Sequence, residues 1–390
     1  MDLESFLLGA VYYYGLFIGL SNFEFDWNTG RVFTKKWSTL YAIALDSCIF
    51  ALYIYHWTGN TNIVNAIFGR ANMLHEYVVA ILTGLRIVTG LFTLILRWYQ
   101  RCKMMDLASK VVRMYVARPQ VRRMSRWGIL TKFIFGSITD GLQMAMVLSA
   151  MGSVDSQFYL GLGLQYWMFV ILNMAMMQQH MIMLFVRTQF QLINTELRQV
   201  IDEAKDLLLS PRHQGVFMTK CCSLADQIEN IARIQSQLQT IMNQMEEVFG
   251  IQGAMTYGGY YLSSVGTCYL AYSILKHGYE NLSMTLSTVI LAYSWCFFYY
   301  LDGMLNLSVM LHVQDDYWEM LQILGKRTIF VGLDVRLEEA FENLNLQLIR
   351  NPLKITVVKL YDVTRSNTMA MFGNLITHSI FLIQYDIEHF

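Results

Sequence analysis

Long apolar runs, each bounded by polar or charged residues, recur along the chain. Six have the length a helix needs to cross a bilayer: Trp37–Trp57, Tyr77–Leu96, Leu130–Ala150, Tyr159–Val186, Phe249–Leu275 and Met284–Met304. A seventh, Asn367–Tyr385, is more polar and carries Asn374, Thr377, His378 and Gln384. The run Phe6–Leu20 is about one helical turn too short to cross comfortably, and Gly9, Gly15 and Gly19 interrupt it. It reads as an interfacial or re-entrant segment, with an eighth span as the alternative. The pattern predicts an all-α polytopic membrane protein with seven transmembrane helices.

The connections after spans four and six are long, and long connections carry structure of their own. Ile231, Ile234, Leu238, Ile241, Met245 and Val248 follow the alternating three- and four-residue step of a helical seam that runs straight into span five. Leu337, Phe341, Leu344 and Leu348 form a second stripe, ended by Pro352. These cytosolic anchor helices either pack on one another below the membrane or build a subunit interface.

Composition agrees with lipid as the solvent. Of 390 residues, 55% are hydrophobic and 15% charged, against about 25% charged in soluble domains. The net charge is zero, so no overall field attracts nucleic acid. The distribution of charge is more telling. Basic residues crowd residues 97–126, the connections after spans four and six, and the N-terminal segment; Arg70 and Lys276 alone fall on the other face, and Arg86 and Lys132 lie inside spans. The basic face is cytoplasmic, which puts the N-terminus inside and the C-terminus outside. The expected organisation is a cytoplasmic segment 1–36, a six-helix ligand-sensing bundle 37–304 with intracellular loops 97–129 and 187–248, anchor helices 305–366, a pore-lining helix 367–386 and an extracellular tail 387–390.

Asn281-Leu-Ser falls in an outer loop and is a candidate glycosylation site. Asp2 and Glu4 stand where a secretory signal would be basic. The six cysteines have no metal-ligand spacing. No hydrolase, P-loop or zinc-protease motif is present. No enzyme activity, cofactor or metal is expected.

Arg86 lies near the centre of span two, where a charge costs on the order of 2.5–3.5 kcal/mol and should have a partner. Counted from the ends of the apolar runs, Asp46 and Asp140 fall at a similar depth. An Asp46–Arg86–Asp140 cluster is therefore expected, either as a helix clamp or as a polar floor to a ligand cavity. Aromatic residues and amides collect in the outer halves of the spans. Tyr77, Tyr159 and Tyr272 suit an interfacial belt, whereas Gln165, Tyr166, Tyr269 and Tyr293 lie further in and are candidates for a ligand pocket. Tyr260 and Tyr261 lie deeper in span five, and Trp295 follows in span six.

The final span reads Thr377-His378, then Ser379–Ile383, then Gln384-Tyr385. This resembles the signature of the insect gustatory receptor family: Thr-Tyr, five hydrophobic residues, Gln-Phe. Thr377 and Gln384 match, while His378, Ser379 and Tyr385 depart from it. Length, basic cytosolic face and the Gly-Leu-Ser-Asn-Phe-Glu-Phe-Asp lead-in to span one are also similar to that family. The resemblance implies a ligand-gated non-selective cation channel in the plasma membrane of gustatory sensory neurons. It implies a homo- or hetero-tetramer surrounded by membrane lipid and opened by a small-molecule tastant, with bitter or contact-chemical cues favoured. It places the gate at Gln384 and Tyr385, toward the outer end of the pore-lining span that carries Thr377. Asp386 and Glu388 follow directly, and in a four-fold assembly they would become carboxylate rings at the outer mouth. A G-protein-coupled receptor would need an extracellular N-terminus, and a secondary transporter would show repeats or broken helices.

Overall fold

The computed structural model describes residues 3–26, 31–58, 73–152, 154–209, 214–278, 285–326, 334–358 and 361–389. Among them are ten helices: α1 (Leu3–Phe17), α2 (Lys36–Thr58), α3 (Met73–Tyr99), α4 (Arg101–Ala117), α5 (Pro119–Met151), α6 (Tyr159–Leu209), α7 (Gln214–His277), α8 (Leu286–Gly325), α9 (Val335–Arg350) and α10 (Arg365–His389). Two short hairpins accompany them: β1 (Glu24–Asp26) with β2 (Arg31–Phe33), and β3 (Thr356–Val357) with β4 (Tyr361–Asp362). Asn281 and the loop around it lie outside the described residues.

Helices α2, α3, α5, α6 and α8 are each long and apolar enough to cross a membrane. The more polar α7 and α10 complete the seven. A backbone in hydrocarbon must satisfy its own hydrogen bonds, which is why every crossing element is helical. Burial sorts the spans. In α6, 78% of the most apolar stretch is buried, against 22% in α2, α3 and α5 and 17% in α8. Helix α6 is thus the hub, and the others turn most of their apolar surface outward.

Three spans do not stop at the membrane. Helix α7 has 64 residues, about 96 Å at 1.5 Å per residue, some three times the hydrocarbon core. Its cytosolic half carries the seam read in the sequence, and all six of its residues are buried at 5% exposure or less. Helix α9 lays Leu337, Phe341, Leu344 and Leu348 onto α7 and α8. Gln347 Nε2 donates to Gln235 Oε1 at 2.5 Å, and Tyr317 Oη to the Leu348 carbonyl at 2.7 Å. Both apolar stripes are therefore spent inside the chain. Helix α4 runs beside α7 through Lys103–Glu247 at 2.7 Å and Gln244–Asp106 at 2.8 Å.

The N-terminal segment enters the bundle and returns on the same side. Helix α1 packs on α5 and α6, and Glu4 meets Arg122 at 2.9 Å on the basic side. Its far end lies beside Trp167 through Phe17. There Gly19 turns the chain at φ 85°. A Cβ at Gly19 would come within 2.8 Å of Asp46, so glycine is required twice over. Ser21 then meets Gln178, and Tyr12 Oη donates to the Phe23 carbonyl. Of the readings left open for residues 6–20, this is the re-entrant one.

One ion pair is fully enclosed. Lys132 Nζ of α5 lies 2.6 Å from both carboxylate oxygens of Asp302 of α8, with side-chain exposures of 0% and 2%. His180 of α6 and Asn306 of α8 are buried beside it. Removing one partner of such a pair costs about 3–5 kcal/mol, while an apolar pair of similar volume is tolerated. Asp302→Asn is therefore expected to cut surface expression and lower the melting temperature in detergent. The double variant Lys132→Met with Asp302→Leu is expected to recover both, as read by surface labelling and thermal unfolding.

Candidate ligand cavity and terminal helix

The expected charge cluster does not form. Asp46 accepts from Trp98 Nε1 at 2.6 Å, and Asp140 from Asn173 Nδ2 at 2.6 Å. Arg86 forms no ion pair or hydrogen bond to any described residue; its guanidinium lies over the rings of Phe169 and Trp295 at 5.5 and 5.4 Å. A depth count misleads here because apolar runs mark helix ends only loosely. Trp98 follows Arg86 by about three turns of α3, which puts its partner Asp46 about 18 Å nearer the cytosol than Arg86. The enclosed charges are instead Lys132 and Asp302. Each lies two residues from the inner end of its apolar run, and that matched depth is the signal available in the sequence.

Arg86 stands between two cavities. The inner chamber is walled by Arg86, Phe169, Asn173, Tyr260, Ser263 and Tyr299 and has a cavity volume of about 40 Å³. The outer groove has a cavity volume of about 280 Å³ and runs past Arg86, Leu82, Gln143, Ala292, Tyr293 and Trp295. Leu82, Arg86 and Ser263 belong to both. At its upper end His75 Nδ1 lies 3.4 Å from Ser273 Oγ, joining α3 to α7.

The inner wall is a stack of rings. Trp295 and Tyr299, one turn apart on α8, stack at 4.8 Å and 15°. Tyr260 of α7 continues the stack onto Tyr299 at 4.7 Å. Gly303 leaves the room: a Cβ there would approach Tyr260 to 3.1 Å. Of these rings Trp295 faces the cation, with Phe169 beside it, an attraction of roughly 0.5–2 kcal/mol per contact.

Of the four pocket candidates, Tyr293 alone lines either cavity. Tyr166 packs against the apolar core. Gln165 is half-buried and lines neither cavity. Tyr269 is fully buried and donates to Asp386 Oδ1 at 3.0 Å. Sequence reasoning misses Phe169, Tyr260 and Tyr299 as cavity residues. The clue to them is the demand of Arg86 for a partner, which aromatic faces meet as well as carboxylates do.

Helix α10 has two faces. Thr368, Ser379 and Asp386, three turns and then two turns apart, are buried, and the helix packs on α7. Thr377, Gln384 and Glu388, two turns and one turn apart, lie on the opposite side and are exposed, as is Phe381 at 65%. Tyr385 is exposed and stacks on His389 at 4.3 Å. Asp386 therefore does not join Glu388 on one face. It is 0% exposed and lies 2.8 Å from Lys276 Nζ at the end of α7, which holds that ammonium above the usual lysine range. Further down, His378 Nδ1 lies 2.5 Å from Tyr261 Oη, and Arg365 meets Asp315 at 2.5 Å. With the Tyr269–Asp386 hydrogen bond, four polar contacts thus fasten α10 to α7 and α8.

Comparison with known proteins adds the following. The 7tm chemosensory receptor family model matches residues 8–389. The chain is 45% identical over its whole length to the whole of the protein named gustatory receptor 36a of Drosophila melanogaster. It is 44% identical over its whole length to gustatory receptor 36b of the same organism, again covering the whole of that protein. Among solved structures it resembles the insect olfactory receptor OR5 of Machilis hrabei. The free form gives a TM-score of 0.62 at 13% identity and the eugenol complex 0.59 at 12%; each match covers 98% of this chain and 100% of the other.

The Lys276–Asp386 contact predicts a charge-swap rescue. Lys276→Asp alone should place two carboxylates together, loosen the outer end of α10 and reduce surface expression. Adding Asp386→Lys should restore it. Surface biotinylation of the single and double variants checks this.

Proposed function

The chain belongs to the 7tm chemosensory receptor family, and from that premise we propose that it is a gustatory receptor subunit working as a ligand-gated, non-selective cation channel. The family is one of receptors, not enzymes, and its members bind small molecules at the membrane. The observation that carries the proposal is the two-sided character of α10. A helix anchored by one stripe while its other stripe, Thr377, Phe381, Gln384 and Glu388, is exposed and meets no other element among the described residues suits a pore built by several copies around an axis. Four subunits, of this chain alone or with related receptors, would bring Gln384 and Tyr385 together as the narrow segment. Glu388 then supplies the carboxylate ring that concentrates cations. Asp386, neutralised by Lys276, drops out of the ring and fastens the helix instead.

The aromatic chamber and groove supply the ligand site. Walls of aromatic rings with a few polar groups suit small, largely apolar compounds, which favours bitter or contact-chemical cues over sugars. The OR5 complex holds eugenol, a small aromatic compound, and the outer groove beside Arg86 would accept one of similar size. The setting proposed is the plasma membrane of gustatory neurons. A G-protein-coupled receptor is disfavoured by the cytosolic N-terminus, to which the basic contacts of Glu4 belong. A secondary transporter is disfavoured by the unbroken spans.

Recording from cells that express the chain with related receptors tests the proposal. Glu388→Gln should lower cation conductance, most at low ionic strength where screening is weak. Asp386→Asn should alter gating while sparing the low-salt conductance. Ala292→Trp, which fills the groove, should raise the half-maximal ligand concentration tenfold or more without loss of surface expression. Unchanged conductance and unchanged sensitivity in these variants would place pore and pocket elsewhere.

A further inference from the structure

We propose that the ligand carries a carboxylate, and that Arg86 binds it. The inference rests on the ligand cavity proposed above and names the chemistry of its occupant. Arg86 is a cation in the middle of a span, a position that insertion measurements penalise. Elsewhere in the bundle the chain neutralises such charges within itself. Lys132 takes Asp302, and Arg187 lies 3.6 Å from Asp316 at the cytosolic end. Two arginines of α3 lack a carboxylate among the described residues: Arg97 is buried over the Phe249 ring, reaches Met104 Sδ and lines neither cavity, whereas Arg86 borders both. The two aspartates that could have served it are engaged elsewhere, Asp46 by Trp98 and Asp140 by Asn173.

The guanidinium is not simply hidden. Arg86 is half-buried, and it borders both the inner chamber and the outer groove. Phe169 and Trp295 take part of its charge on their ring faces but accept no N–H hydrogen bond in the plane of the guanidinium. A planar fork of donors, held over aromatic rings and open to a cavity, matches the two oxygens of a carboxylate in a bidentate pair. Exclusion of water raises the value of that pair above what it has at a surface.

The rest of the site fixes the body of the ligand. Val79, Leu270, Ile274 and Val289 line the groove beyond Arg86 with aliphatic surface. Trp295 closes the groove at that end, and Tyr299 and Tyr260 of its stack wall the chamber within. The occupant is thus an amphiphilic organic acid, aliphatic or with one aromatic ring, its head on Arg86 and its hydrocarbon in the groove. Ring faces hold Arg86 in place before the acid arrives, so little ordering cost remains at binding.

Thermal unfolding of the purified full-length protein in detergent tests this, because a ligand that binds the folded state raises its melting temperature. The ligands added are octanoate and phenylacetate at neutral pH, each beside its methyl ester. The expected result is a larger stabilisation by the acids than by their esters. Arg86→Gln should erase that preference, Arg86→Lys should keep part of it, and Ala292→Trp should abolish the acid effect altogether. Equal stabilisation by acid and ester, a preference that survives in Arg86→Gln, or no stabilisation by either acid would overturn the inference. If Ala292→Trp abolishes stabilisation while Arg86→Gln changes nothing, the cavity stands and only the carboxylate is wrong. If Ala292→Trp leaves stabilisation intact, the cavity itself is misplaced. Surface labelling and the ligand-free melting temperature of each variant separate loss of binding from loss of folding.

Discussion

A charged group inside a bilayer has no water to turn to, and the arrangement of this bundle follows from where that demand is met. The Lys132–Asp302 pair meets it completely: two carboxylate oxygens at 2.6 Å from one ammonium, both side chains sealed from solvent. The pair ties α5 to α8 beside the buried face of α6, at the inner ends of the apolar runs. Such a pair adds little net stability relative to an apolar core, but its geometry is demanding, because either partner alone is costly. It forms a polar floor, and the aromatic chamber lies on its outer side along α8. Arg86 meets the same demand partially, with ring faces in place of a carboxylate.

The elements that wall the cavity also hold the terminal helix. Helix α8 presents Trp295 to the groove and Tyr299 to the chamber, Asp302 to Lys132 and, further along, Asp315 to Arg365 of α10. Helix α7 presents Tyr260 to the chamber and its neighbour Tyr261 to His378 of α10. A compound that shifts the ring stack therefore pushes on a residue covalently adjacent to one of the α10 contacts. Under the proposed function, cavity and pore are therefore joined through α7 without a long relay. The cytosolic continuation of α7 is buried along its seam by α4, α8 and α9.

Much of this is legible in the sequence, for reasons that differ by feature. Spans and orientation are readable because lipid imposes length and because basic residues stay on one side. The α7 seam is readable because a sustained heptad stripe of apolar residues marks a helix packed along that stripe. Whether the stripe serves the chain itself or a neighbour is decided only by the packing of α9. The re-entrant segment is half legible: its shortness excludes a comfortable span, and the return at Gly19 needs the contact with Asp46 to be seen. Side-chain partners are the weak point. Depth counted from the ends of apolar runs assigns Asp46 and Asp140 to Arg86, but those ends are loose, and depth does not say which way a helix faces. Tyr269 looks like a pocket residue for the same reason and instead holds Asp386. The periodicity of α10 does divide Asp386 from Glu388, since two residues apart on a helix cannot share a face.

The central claim is that the exposed stripe of α10 lines a water-filled pore. Modification of single cysteines during ligand-gated recording tests it most directly, in a background where the exposed native residues Cys48, Cys102 and Cys268 are replaced by serine. A charged, membrane-impermeant thiol reagent applied from outside should alter the current through Gln384→Cys, faster when the ligand is present. It should leave Ser379→Cys, on the buried stripe, untouched. Modification at Ser379→Cys with none at Gln384→Cys would contradict the account, because it would turn the helix around and put the pore on the side now assigned to α7.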